Sequence, residues 1–152
     1  MSPSRWREAI AALGVILSLL LVASEIRQNT EAVRGETIQG IAEMSVEVVL
    51  AGFSDPEFVA LFERARSDVD SLTAVERARL NWWYNASMRV VENRYRQMNV
   101  GLVEDVTEAL GGRGGAYQHP YFPIFWEFAR NQYPPDFQRW VDDTYLPLVV
   151  QP

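Results

Sequence analysis

Residues 9–23 read AIAALGVILSLLLVA, an uncharged run in which nine positions are branched aliphatics: Ile10, Leu13, Val15, Ile16, Leu17, Leu19, Leu20, Leu21 and Val22. Each such residue favours bilayer insertion by about 0.3–0.6 kcal/mol near a helix centre, roughly 3–5 kcal/mol for the run. Fifteen residues cover only about 22 Å as a helix, against a hydrocarbon core of about 30 Å. The flanks make up the difference. From Trp6 to Ile26 a helix spans about 31 Å, with Trp6 suited to the interface and Arg7 able to snorkel. The expectation is a transmembrane helix, with membrane lipid as its first partner. Two other readings compete: a cleaved signal peptide, with Arg5 and Arg7 ahead of the apolar run and Val22-Ala23-Ser24 as the cleavage site, and a buried core helix.

The residues that follow favour the anchor. Ile26, Val33, Ile41, Met44, Val48 and Ala51 fall within an arc of about 80° at 100° per residue. Thr37 shares that arc, and Leu19, Val15 and Ala12 continue it backwards. A stripe that holds phase across residue 24 implies one continuous helix, bendable at Gly35 and Gly40, which lower helix propensity. Arg5 and Arg7 before the run balance Arg27 and Arg34 after it, so the positive-inside rule sets no orientation.

The rest of the sequence reads as helix. Ser54-Asp55-Pro56-Glu57 places a cap before a proline at the first helical position, followed by Phe58, Leu61, Phe62 and Ala65 on one face. Thr73 and Glu76 form a capping box that opens a long helix to about Met98. Its apolar residues make two rows, Val75-Ala78-Trp82-Ala86-Val90 and Leu80-Trp83-Tyr84-Val91-Tyr95-Met98, as expected of a helix central in a bundle. A short helix over 102–110, a flexible glycine-rich loop at 111–115, an aromatic-rich helix over 121–132 and a last helix from Pro135 to about Leu146 complete the pattern, with an apolar tail at 148–150. The fold class expected is all-α: a membrane anchor at 1–26 continuing into a small helical bundle, a single domain at 27–152.

Composition narrows the chemistry. The 152 residues include 14 arginines, no lysine, no cysteine and one histidine, and the net charge is −6. Lysine Schiff bases, P-loops, thiol nucleophiles, Fe–S clusters and paired-histidine metal sites are therefore outside its repertoire. No Glu-x-x-His or calcium-loop pattern occurs. Neither a metal nor a cofactor is expected, and no catalytic set. His119 reads as an exposed or capping loop residue. Arg89, Glu92 and Arg96 lie three and four residues apart on one face, read as a solvated ion-pair stripe or, functionally, as a polar face for a partner or ligand. Trp82, Trp83, Trp126 and Trp140 read as core or as an aromatic docking face. Arginines and aromatics interleave along the central helix, but overall acidity argues against nucleic acid.

Several of these features recur in order. The apolar helix runs into Arg27-Gln28-Asn29-Thr30, followed by Arg34. Ser54-Asp55-Pro56-Glu57 starts a helix, Asp70-Ser71-Leu72-Thr73 makes a turn, and Glu92-Asn93-x-Tyr95 sits in the central helix. Trp126, Pro135-x-Phe137 and Trp140 close the chain. In this order the sequence resembles, over nearly its whole length, a family of short bacterial single-pass membrane proteins of unknown function. The Arg5/Arg7 pair departs from that pattern. The resemblance implies the anchor, the helical fold and the bacterial cytoplasmic membrane, and adds no chemistry.

The functional expectation is a membrane-anchored interaction protein, an accessory or structural subunit of a larger membrane protein complex. The alternative is a membrane-tethered sensor or ligand-binding domain built on the Arg89/Glu92/Arg96 face.

Overall fold

The computed structural model describes residues 3–104 and 119–147. Every regular element among them is helical: α1 (Pro3–Phe53), α2 (Pro56–Ser67), α3 (Ala74–Asn99), α4 (Tyr121–Ala129) with a 3₁₀ turn at Arg130–Gln132, and α5 (Pro135–Trp140) running into a π-helical turn at Val141–Tyr145. The fold is all-α. The glycine loop at 111–115, most of the helix expected at 102–110 and the tail at 148–150 lie outside the described residues.

Two compact units divide the chain, Met1–Ile38 and Gln39–Pro152. In the first, α1 is long and apolar enough to cross a membrane, and its apolar window is wholly unburied. The nine aliphatic side chains from Ile10 to Val22 are each between 50% and 66% exposed. Two of its hydroxyls are satisfied within the helix: Ser18 donates to the Gly14 carbonyl at 2.8 Å and Thr30 to that of Ile26 at 2.9 Å. A hydroxyl bonded back onto its own helix needs no water, as an apolar surrounding requires.

The second unit has a real core. α2 carries Phe58, Leu61, Phe62 and Ala65 at the i, i+3, i+4, i+7 spacing, and all four are buried. Asp55 caps this helix by accepting from the Glu57 N–H at 2.9 Å and pairs with Arg79 of α3. That backbone bond first, and then Arg79, holds the Asp55 carboxyl below the usual carboxylate range. The capping box at α3 forms as expected, with Glu76 accepting from the Thr73 N–H at 2.8 Å. α3 buries Leu80, Trp83, Tyr84, Met88 and Val91 against Phe122, Phe125 and Trp126 of α4 and against Phe137.

One side of α3 departs from expectation. The row Leu80-Trp83-Tyr84-Val91 is core, but Val75, Ala78, Trp82 and Ala86 are exposed. Trp82 is 79% exposed and Trp83 only 8%. The two-sided reading of α3 is therefore corrected, and Trp82 is not core. No element among the described residues covers that second face.

α1 meets α3 within the second unit at its last turns. The Trp83 indole donates to the Val48 carbonyl at 3.0 Å. A methyl added at Gly52 would lie 2.6 Å from Trp83 Nε1 and 2.8 Å from Phe58 Cε1. Gly52→Ala is therefore expected to destabilise the domain by about 1–3 kcal/mol through overpacking. Trp83→Ala should cost about 3–5 kcal/mol, while Trp82→Ala should stay within about 0.5 kcal/mol, as befits an exposed side chain. Urea unfolding of the full chain in detergent, followed by near-ultraviolet circular dichroism, separates the three.

Candidate functional site

Two places in the Gln39–Pro152 unit bring together the residues singled out from the sequence. The first is the charged face of α3. Glu92 is 6% exposed. One of its carboxylate oxygens accepts from Arg89 at 2.8 Å, and the other accepts from Arg96 Nη2 at 2.6 Å and Nε at 3.1 Å. The pair interaction pushes the Arg96 pKa further up. The Arg89 guanidinium also lies 4.4 Å from the centroid of the Tyr133 ring, a cation–π contact. Tyr133 is buried with no hydrogen-bond partner for its hydroxyl among the described residues. Burial first pushes its pKa up to about 12, with Arg89 opposing and Glu92 adding. The stripe is thus a clamp with both carboxylate oxygens occupied, rather than the wet surface stripe expected. Glu92 offers neither a free base nor an open ligand. Glu92→Gln should cost about 1–2 kcal/mol through the loss of charge-assisted bonds, tempered by the half-exposed arginines, in the same urea assay.

His119 also departs from the sequence reading. It does cap a helix start, but it is 1% exposed. Its Nδ1 accepts from the Tyr121 N–H at 3.2 Å, so Nε2 carries the proton and donates to the Phe62 carbonyl at 2.8 Å. The ring sits 4.2 Å from that of Phe62. Closed in by aromatic side chains, it ties α4 to α2. Burial pulls its pKa below the ordinary 6.5; the Phe62 bond and Glu63 oppose this, and Arg66 adds to it. The unfolded chain therefore takes up the proton more readily than the folded one. Stability is complete above about pH 6.5 and declines as the pH falls below it. Urea midpoints are expected to drop between pH 7.5 and 5.5, and His119→Gln should flatten that dependence; an unchanged slope in the variant would assign it to other groups.

The second place surrounds Trp82. On one side of its indole a groove of about 290 Å³ runs between α3 and α4, walled by Asn81, Asn85, Phe125, Phe128 and Gln132. On the other, a groove of about 420 Å³ lies between the last turns of α1 and α3, walled by Glu47, Val48, Gly52, Phe58 and Trp83. Trp82 and Phe128, at 79% and 68% exposure, are the most solvent-exposed large aromatics among the described residues of this unit. Amides rim the first groove: the Asn81 side-chain oxygen accepts from the Tyr121 hydroxyl at 3.0 Å, and Asn85 donates to Gln132 at 3.2 Å. Neither groove includes Arg89, Glu92 or Arg96.

The remaining tryptophans belong to packing. Trp126 is buried and donates to Asp142 at 2.7 Å, beside the Arg130–Asp142 ion pair. Trp140 is partly buried against the core, with its ring 5.1 Å from that of Tyr95. The aromatic set expected as one core or one face is split, three rings inward and one outward. Phe128 of α4 is exposed beside Trp82. Ala78 and Ala86, four residues either side of Trp82, were a signal for this, since alanines flanking a large ring leave it standing clear. Among the described residues no group of three or more His, Asp or Glu is placed to hold a metal ion. No protein-family model, curated protein or solved structure matches this chain.

Proposed function

We propose that this chain is a single-pass protein of the bacterial cytoplasmic membrane whose helical domain serves as an interaction subunit of a larger membrane protein complex. The observation that carries the reading is the exposure of all nine aliphatic side chains of α1 between Ile10 and Val22. On the insertion scale these nine side chains together favour the bilayer by roughly 3–5 kcal/mol. Support also comes from the resemblance to short bacterial single-pass proteins and from the outward Trp82 and Phe128. The polar residues with chemical potential, Glu92 and His119, have their hydrogen-bonding groups engaged inside the fold.

Two measurements test this. Replacing Leu17 and Leu20 together by arginine adds roughly 5–7 kcal/mol of insertion cost, more than the run supplies, and is expected to move the protein from membranes to the soluble fraction. Extraction of native membranes in mild detergent should recover the tagged wild-type chain inside a larger assembly at a fixed ratio. Recovery as a free monomer would remove the interaction reading.

A further inference from the structure

We infer that the Trp82 ridge and its two grooves receive an amphipathic helix of a partner protein, one with an apolar stripe bordered on one side by arginine or lysine. This rests on the interaction-subunit reading and names the kind of segment the domain grips.

The shape is that of a helix seat. Trp82 lies on α3 between the grooves, and the small side chains one turn before and after it, Ala78 and Ala86, leave the indole standing free along the helix axis. A helix laid across α3 at this point can place one side chain in each groove, which is ridge-into-groove packing. The groove floors are core side chains: Phe125 in one, Phe58 and Trp83 in the other, all buried. They are held in place before anything binds, which lowers the ordering cost of association. An exposed tryptophan over a rigid apolar floor is the usual makeup of an interface hot spot.

The charge of the rim selects the partner. Glu43 and Glu47 are exposed one turn apart on α1, and Glu47 lines the larger groove. Neither has an ion-pair partner among the described residues; Glu43 accepts only from Gln39, at 2.9 Å. Arg79, the one cation lining the same groove among the described residues, is engaged by Asp55 and lies 3.9 Å from Glu57. The rim of the other groove is neutral amide. The unneutralised charge at the seat is therefore negative and on one side only, which matches a helix with a cationic flank. Anionic headgroups would meet Glu43 and Glu47 with like charge, and a flat bilayer surface would fill neither groove.

The test uses the full chain in its native membranes, with the photo-crosslinker benzoylphenylalanine placed at the exposed Val75 on the same face of α3 or at Phe128. Both positions are expected to trap the same partner segment, and mass spectrometry should read it as an amphipathic helix with a basic flank. Trp82→Ala and Glu47→Arg should each lower the adduct yield about tenfold or more, with Trp82→Phe close to wild type and all three melting as wild type does. Adducts to lipid or to a second copy, no protein adduct, or a yield insensitive to both substitutions would overturn the assignment. Detergent co-migration separates this failure from that of the broader reading. If Trp82→Ala still travels in the assembly at full ratio, the seat is wrong and the interaction subunit stands. If the wild-type chain travels alone, both fall.

Discussion

A buried indole N–H has to find an acceptor, and in this domain the Trp83 indole finds the Val48 carbonyl on another helix. Reaching a backbone atom of α1 requires the two helices to approach more closely than side chains normally permit, and Gly52 is the residue that allows it. Around that contact the rings of Phe53, Phe58 and Phe62 all sit 5.6–5.7 Å from Trp83. Only Ser54 and Asp55 separate α1 from α2, so the chain must reverse at once. The same Asp55 caps α2 and pairs with Arg79 of α3. His119 then binds the Phe62 carbonyl and brings in α4. Most of the domain's packing can be traced outward from the Trp83–Gly52 approach.

The polar residues that suggest chemistry are taken up by this architecture. In sequence the Arg89/Glu92/Arg96 stripe reads as solvated ion pairs or a ligand face, and His119 as an exposed or capping loop residue. Glu92 saturates both of its oxygens on Arg89 and Arg96, and His119 uses both ring nitrogens on backbone groups. A buried polar group without partners would cost several kcal/mol, and the bundle supplies partners to both. Two apolar surfaces are left facing outward, an aliphatic sleeve on α1 and an aromatic ridge on α3. Both are surfaces that gain by being removed from water.

The parts legible in the sequence were those written in short-range terms. Helix starts depend on residues two or three apart, so Asp55-Pro56 and Thr73/Glu76 were readable with their bonding partners. The apolar run depends only on composition and length. The π-helical turn at Val141–Tyr145 and the 3₁₀ turn after α4 were not readable, because the helical period persists through both. His119 was misjudged because its surroundings, Phe62, Tyr84 and Tyr121, come from three separate elements.

Trp82 and Trp83 mark the boundary between the two kinds of information. That both lie in one capped helix, that the fold is all-α and that the N-terminal helix is long and apolar enough for a bilayer can be read from the residues alone, since these follow from local bonding and side-chain hydrophobicity. Adjacent residues on a helix point about 100° apart, and periodicity assigns apolar side chains to faces without saying which face another element will cover. Only the tertiary structure decided that, through the one backbone approach Gly52 permits, which took Trp83 into the core and left Trp82 at the surface.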